Sequence, residues 1–303
     1  MRVLALHADV LVATSAIWQT NCVLVRGAAG SAAEAGALTV ESGKGSLAGQ
    51  HGGRVADETF VVDSPVLPEE LDALPALLEQ AGFPPPSGLL ATHGDWDHLL
   101  GPLAFPHTPL GCAQSTVERL RAGRGAVQRE LRAFDERYLI ERSRPLALGA
   151  VQALPAPGRC EIGGLELELY PTAGHTADGM AILVPWARVL LVGDYLSPSE
   201  IPTIGEEAQA LGAYVDTLGR LQPLVQSAEL VVPGHGPPLG AADALTVLDQ
   251  DLAYLRALAE RGLDAELPRA ARRAFQQGLH RENAARAGKA SQQERRLPSP
   301  PRS

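Results

Sequence analysis

The run His93-Gly94-Asp95-Trp96-Asp97-His98 constrains this chain more than any other stretch. It places two imidazoles and two carboxylates within six residues, directly after the apolar segment 88–92. The side chains of His93, Asp95 and Asp97 alternate in an extended backbone, so they can point the same way. Such a polar cluster at the end of a buried strand is costly unless cations neutralise it. The run therefore predicts a site for two metal ions.

Three further polar residues stand where an apolar strand gives way to a turn. They are His175, Asp194 and His235, and each directly follows a glycine. Glycine lets the backbone come close to an ion and to its substrate. A single histidine of this kind is usually structural or exposed, but the repetition at strand ends favours one shared metal site.

Composition narrows the class of protein. The chain has 303 residues, 45% hydrophobic and 20% charged, as in a globular protein with a sizeable core. The net charge of -9 argues against nucleic acid or an anionic membrane as partner, which leaves a small-molecule substrate.

Three distant cysteines form no disulfide framework, and neither a leader nor a membrane-spanning apolar run is evident. We therefore expect a cytoplasmic protein, and the sequence does not indicate its oligomeric state.

Hydrophobic periodicity divides the chain into one large domain, residues 1–264, and a C-terminal part. Strands predicted at 165–170, 180–184 and 189–192, and helices at 208–221 and 243–261, favour two packed sheets flanked by helices. Two segments fall outside this pattern. Residues 27–56, rich in Gly, Ala and Ser, are expected to be a flexible insertion, with a functional lid as the alternative. We predict a helical extension at 265–287 and a disordered tail at 288–303.

The polar pattern resembles that of the metallo-β-lactamase-fold hydrolases. Their hallmark is H-x-H-x-D-H, followed by a Gly-His turn, a Gly-Asp strand end and a further Gly-His. The resemblance runs from about Ile17 to Arg261 and includes Asp63, which matches an aspartate after an early strand. It implies an α+β fold, a four-layer αββα sandwich of two mixed sheets flanked by helices. The metals would lie at one edge of the two sheets.

The resemblance also implies the metal ligands, as two sets of three joined by a shared aspartate. These are His93, Asp95 and His175 for one metal, Asp97, His98 and His235 for the other, and Asp194 as the bridge. Asp97 and Asp194 are the predicted catalytic residues, and Asp97 is also expected to orient the attacking water. Asp63 is expected to support a ligand loop rather than to bind metal.

One position departs from the family pattern, because the second histidine of the motif is Asp95 here. Flavodiiron proteins, which share the fold, similarly carry a glutamate at this place and hold iron. An aspartate adds a negative charge, so the centre should be a weaker Lewis acid than one with histidine. Oxygen ligation also shifts preference from zinc toward manganese or iron. We expect two divalent metal ions, zinc first, with iron or manganese as alternatives.

The predicted function is metal-dependent hydrolysis of an ester-like bond, in a thioester, an ester or a lactone. Asp95 motivates an alternative from another class, a non-haem iron redox enzyme acting on dioxygen or nitric oxide. A phosphodiesterase is a further alternative, although the acidic charge disfavours a polynucleotide substrate. Each of two aromatic residues has two possible roles. Tyr195 is either an oxyanion donor or a packing residue, and Trp96 either walls the substrate pocket or anchors its loop.

Overall fold

Two mixed β-sheets pack face to face, with helices on their outer faces. This computed structural model describes residues 1–28, 56–269 and 274–294. One sheet has seven strands and the other six. The predicted α+β fold, a four-layer αββα sandwich, is confirmed.

The first sheet contains strands β1 to β7 in chain order, antiparallel from β1 to β4 and parallel from β4 to β7. Parallel neighbours end at the same edge of a sheet, so β4 and β5 deliver the residues that follow them to one place. The strands are Arg2–His7, Val10–Thr14, Asn21–Gly27, Glu58–Val62, Gly88–Ala91, Leu110–Ala113 and Val151–Leu154. The helices of this half, α1 to α4, are Pro68–Gln80, Gly101–Ala104, Gln114–Ala122 and Ala126–Tyr138.

The second sheet has the strand order β13-β12-β11-β10-β9-β8. Strands β9 and β11 are both antiparallel to β10, and β12 is parallel to β11, so β9, β11 and β12 run the same way. Strands β8 to β13 are Gly158–Ile162, Leu165–Pro171, Met180–Val184, Val189–Leu191, Leu230–Val232 and Leu239–Gly240. Helices α5 to α7 are Ala210–Ser227, Ala241–Arg261 and Ala274–Glu294.

Apolar side chains on both faces of the central strands hold the layers together. In β3, Val23 and Val25 belong to the core between the sheets, whereas Leu24 packs with the helices of the first half. In β10, Ile182 faces the same inter-sheet core, and Ala181 packs in the cluster that includes α5 and α6. Successive side chains of a strand point to opposite faces, so a continuous apolar run is buried on both sides.

The predicted insertion at 27–56 joins two neighbouring strands. Strand β3 extends through Gly27, which pairs with Glu58 of β4. The insertion thus begins one residue later than predicted, because Gly27 still belongs to the antiparallel ladder. Residues 29–55 lie outside the described residues, so both alternatives for this segment, flexible insertion and lid, stay predictions.

The C-terminal helix extends further than the sequence indicates. The sequence predicts helix at 265–287 and a disordered tail from 288, whereas residues 265–269 are not helical and α7 runs from Ala274 to Glu294. The residues beyond 287 include Ala, Lys, Gln and Glu, which are good helix formers and support this extension. Residues 295–303 lie outside the described residues.

Candidate metal centre

The predicted site residues all follow the carboxyl ends of strands at one edge of the sandwich. In the first sheet these strands are β4 and β5, and in the second they are β9, β11 and β12. Backbone hydrogen bonds tie the turns together. The Met180 N–H donates to the Thr92 carbonyl at 2.7 Å, and the Asn21 N–H donates to that of Gly234 at 2.8 Å. Both bonds link one sheet to the other, so they fix the two halves of the site relative to each other.

Asp194 lies at the centre of this cluster. Its Oδ2 lies 3.3 Å from His175 Nε2, 3.4 Å from His235 Nε2 and 3.8 Å from His93 Nε2. Its Oδ1 lies 3.2 Å from His98 Nε2. One carboxylate therefore faces all four imidazoles that the sequence singled out.

A second carboxylate, Asp95, lies on one side of Asp194. Its Oδ2 lies 3.3 Å from His175 Nε2 and 3.5 Å from His93 Nε2. The ligand atoms of His93, Asp95 and His175 all lie within 4.8 Å of one another, close enough to hold one ion.

Asp97 occupies the matching place on the other side. Its Oδ2 lies 3.4 Å from His235 Nε2 and 3.7 Å from His98 Nε2. Asp97, His98 and His235 form a second group within the same 4.8 Å limit. A third group within this limit, His93, His98 and Asp194, joins the other two, so the structure brings together all seven residues predicted from the sequence.

The outward ring nitrogens of the four histidines each face a fixed partner. A metal-binding histidine needs such a partner, because it sets the tautomer and the orientation of the ring. The Nδ1 atoms lie 3.1 Å from Thr92 Oγ1 for His93, 3.0 Å from Asp63 Oδ2 for His98, 3.1 Å from the Thr203 carbonyl for His175 and 3.2 Å from the Trp18 carbonyl for His235. This arrangement leaves every Nε2 directed at the carboxylates.

Asp63 supports the site from outside the two groups, as expected. Its carboxylate accepts hydrogen bonds from the backbone N–H and the hydroxyl of Thr92, at 2.8 and 2.9 Å, and faces His98. We expect Asp63→Asn to weaken metal binding by about 10- to 100-fold, as is typical for such partners of metal ligands. Asparagine suits the left-handed backbone at this position, with φ 57°, so the lost charge is what the variant tests. Competition with a chromogenic chelator measures the change, and unaltered affinity would contradict it.

Opposite charges dominate the electrostatics of this site. Burial alone would raise the pKa of Asp194, but the imidazoles around it, His235 first, hold that pKa well below its usual range. For His98 burial acts to lower the pKa, yet the facing carboxylates, Asp194 first, raise it well above the usual value. Burial also acts to lower the pKa of His235, but Asp194 and its neighbours raise that pKa to about 10. A metal ion bound here would therefore compete with protons for the same imidazole nitrogens.

The donor set fits divalent metal ions. Within the described part of the chain, the Nε2 atoms of His93, His98 and His175 and the Oδ1 of Asp194 are buried and, although they lie close to opposite charges, make no well-oriented hydrogen bond. The same holds for His98 Nδ1 opposite Asp63. Buried polar atoms are rarely left so, and a bound metal ion would satisfy the atoms that face the centre of the cluster. Imidazole nitrogens and carboxylate oxygens are ligands for zinc, iron and manganese.

Sequence reasoning missed three charged residues near the site. Arg119 contacts both Asp95 and Asp178, and Glu200 lines a small cavity with Asp194 and His235. Burial raises the pKa of Glu200. Asp178 stands in the same turn as His175, which was a usable signal. Arg119 and Glu200 carry no local pattern that sets them apart from surface residues.

The two aromatic residues left open take packing positions. Tyr195 is 3% exposed, its hydroxyl accepts a hydrogen bond from the His175 N–H, and its ring packs on Tyr214 at 4.6 Å. Trp96 packs against Phe134 and Trp18, with ring centroids 4.7 and 5.6 Å away. Tyr195 thus supports the turn that carries His175, and Trp96 anchors the loop that carries the carboxylates.

The four-layer sandwich, with histidines and aspartates clustered at one edge, is a metal-dependent hydrolase fold. The family model of the metallo-beta-lactamase superfamily matches residues 55–235, and this chain belongs to that superfamily.

Solved structures show the same architecture. A metallo-beta-lactamase family protein from Thermus thermophilus is 20% identical, with a TM-score of 0.65 over 96% of this chain and 94% of that one. A beta-lactamase domain protein from Burkholderia ambifaria is 16% identical, with a TM-score of 0.62 over 94% and 86%. A stereoselective inverting sec-alkylsulfatase from Pseudomonas sp. is 14% identical, with a TM-score of 0.62 over 99% and 52%. At these identities the likeness shows the fold, and this fold includes hydrolases.

Proposed function

We propose that this protein is a hydrolase that uses two divalent metal ions, zinc first, against an ester-like bond in a thioester, an ester or a lactone. The observation that carries this proposal is the position of Asp194. Its carboxylate faces four imidazoles within 3.8 Å, with one further carboxylate on each side. In this position one carboxylate could bind an ion on each side.

In this proposal, two sets of three residues would each hold one ion, and Asp194 would be shared by both ions. The sets are His93, Asp95 and His175 for one ion, and Asp97, His98 and His235 for the other. The bound ions would supply a Lewis acid for the substrate carbonyl and an activated water. Asp97 would also accept a hydrogen bond from that water and so orient it. The Ser64 hydroxyl, which donates to the Asp97 carbonyl at 3.1 Å, holds this turn in place.

The surroundings of the site support a small substrate with an apolar part. Trp18 is 44% exposed and packs on Trp96, and its carbonyl faces His235. An exposed aromatic surface beside a polar centre suits the acyl or alkyl portion of an ester. The described helices lack the combination of length and apolar character that crossing a lipid bilayer requires. The predicted absence of a nucleic-acid partner and the cytoplasmic location stay predictions.

Metal removal tests the proposal. We expect the protein purified with zinc to hydrolyse at least one class in a panel of thioesters, esters and lactones. A phosphodiester in the same panel tests the phosphodiesterase alternative. Dialysis against a chelator should abolish this activity, because the site residues alone provide no activated water. Adding back zinc, manganese or iron separately should restore it to different extents. Full activity in the metal-free protein would overturn the proposal, as would metal binding without turnover of any activated ester.

Asp95 favours one second candidate, a non-haem iron enzyme with redox chemistry on dioxygen or nitric oxide. Three of the seven proposed ligands are carboxylates, and oxygen ligands move preference toward iron and manganese. Metal analysis of protein purified without added metal separates the candidates. About two irons per chain with a visible absorption band would support redox chemistry, and colourless zinc protein would support hydrolysis.

A further inference from the structure

Arg119, on α3, joins the two turns that carry the ligands of the first proposed metal. Its Nη2 donates to Asp95 Oδ1 at 2.7 Å, and its Nη1 donates to Asp178 Oδ1 at 2.8 Å. The second oxygen of Asp178 accepts the Gly94 N–H at 2.9 Å. The packing is tight, since a Cβ on Gly94 would lie 3.0 Å from Asp178 Oδ2. Asp178 is 2% exposed, so the guanidinium is anchored on a buried carboxylate.

The two oxygens of Asp95 therefore have different surroundings. Oδ2 faces the imidazoles of His93 and His175, and Oδ1 is held by Arg119. A carboxylate free to rotate can bind an ion with one oxygen or both, or turn away. A charge-assisted hydrogen bond to one oxygen restricts that choice.

Arg119 also changes the net charge beside the proposed metal ions. An aspartate in place of the family's neutral histidine adds one negative charge beside the ions, which would weaken their Lewis acidity. The guanidinium on Asp95 offsets part of that charge, and only part because Asp178 shares it. Arg119 should therefore make the loss of Lewis acidity smaller than Asp95 alone predicts.

We propose that Arg119 is a positioning residue that holds Asp95 as a one-oxygen metal ligand through Oδ2 and offsets the charge that this aspartate brings. The pair Asp95–Arg119 then takes the place of the histidine that the family has at position 95. The inference rests on the proposed two-metal centre.

A double-mutant cycle tests this dependence, because it isolates the coupling between two residues in contact. The four proteins are the wild type, Arg119→Gln, Asp95→His and the double variant. The readout is the affinity for each zinc equivalent, measured by competition with a chromogenic chelator. Thermal unfolding of each metal-free protein shows whether the fold is intact. Arg121→Gln, an exposed arginine on the same helix, is the matched control.

We expect Arg119→Gln to weaken one zinc equivalent by about 10- to 100-fold and to leave the other within threefold, as for partners of metal ligands elsewhere. In the Asp95→His background the same change should have less than a threefold effect, because a neutral histidine needs no guanidinium. Arg119→Lys should fall between wild type and Arg119→Gln, since an ammonium lacks the planar fork that holds two carboxylates. Arg121→Gln should bind zinc like the wild type.

The outcomes separate this inference from the proposed function. Equal losses from Arg119→Gln in both backgrounds, or no loss in the wild-type background, would overturn the positioning role while the two-metal centre stands. A wild type that binds no zinc, manganese or iron would overturn both. If Arg119→Gln fails to fold, Arg119→Lys alone must show a loss that disappears in the Asp95→His background.

Discussion

Asp194→Asn is expected to lower turnover of an ester-like substrate by at least ~1000-fold and to reduce bound metal to about one ion per chain. Asparagine keeps the volume of the side chain but removes the charge of the carboxylate that faces all four imidazoles. A loss of several kcal/mol in transition-state stabilisation, which two-metal centres supply, corresponds to this factor. Steady-state kinetics and metal analysis of the purified variant measure the two effects.

Asp216→Asn is the matched control for this experiment. Asp216 is an exposed aspartate on α5, so the same chemical change there should leave both turnover and metal content unaltered. An Asp194→Asn protein that keeps about two ions and most of its turnover would contradict the bridging role, and the proposed mechanism would fail with it.

Gly234→Ala is expected to disrupt the site by adding one methyl group. A Cβ at this position would collide with Asp194 Oδ1 and would lie 2.9 Å from His98 Cε1. The backbone has little room to move away, because the Gly234 N–H donates to the Gly193 carbonyl at 2.6 Å. Displacing Asp194 by ~1 Å should lower turnover by about 100-fold or more, since catalytic geometry tolerates little misplacement. We expect weaker binding of both zinc equivalents as well.

Gly240→Ala is the matched control for Gly234→Ala. No atom lies within 4 Å of a Cβ built on Gly240, which precedes α6 with φ −67°. This variant should bind metal and turn over substrate like the wild type, with only a small change in stability. Normal activity in Gly234→Ala would show that Asp194 can be displaced without cost, contrary to its proposed position between the ions.

Two elements of secondary structure show what the local sequence predicts correctly and what it does not. The apolar run at 180–184 predicts a strand, and β10 spans these residues. The run is continuous because both faces of this strand are buried. The helix predicted at 208–221 instead runs Ala210–Ser227 and passes through Pro223. Leu221 and Val225, on either side of this proline, are buried in the cluster shared with α6. Packing on that face thus outweighs the local preference of proline for a helix end.

The sequence by itself predicted the seven candidate ligand residues and, through the family resemblance, the layered fold. Histidine and aspartate directly after apolar runs, five of the seven next to a glycine, are a local signal. All seven such residues converge because these strands end at one edge of the sandwich. Only the tertiary structure decided which groups surround the ligands. Arg119 contacts Asp95, which is 24 residues away in the chain, and Trp18 contacts His235, which is 217 residues away. Such contacts depend on how helices and loops pack over the sheets, and no short-range pattern records that packing.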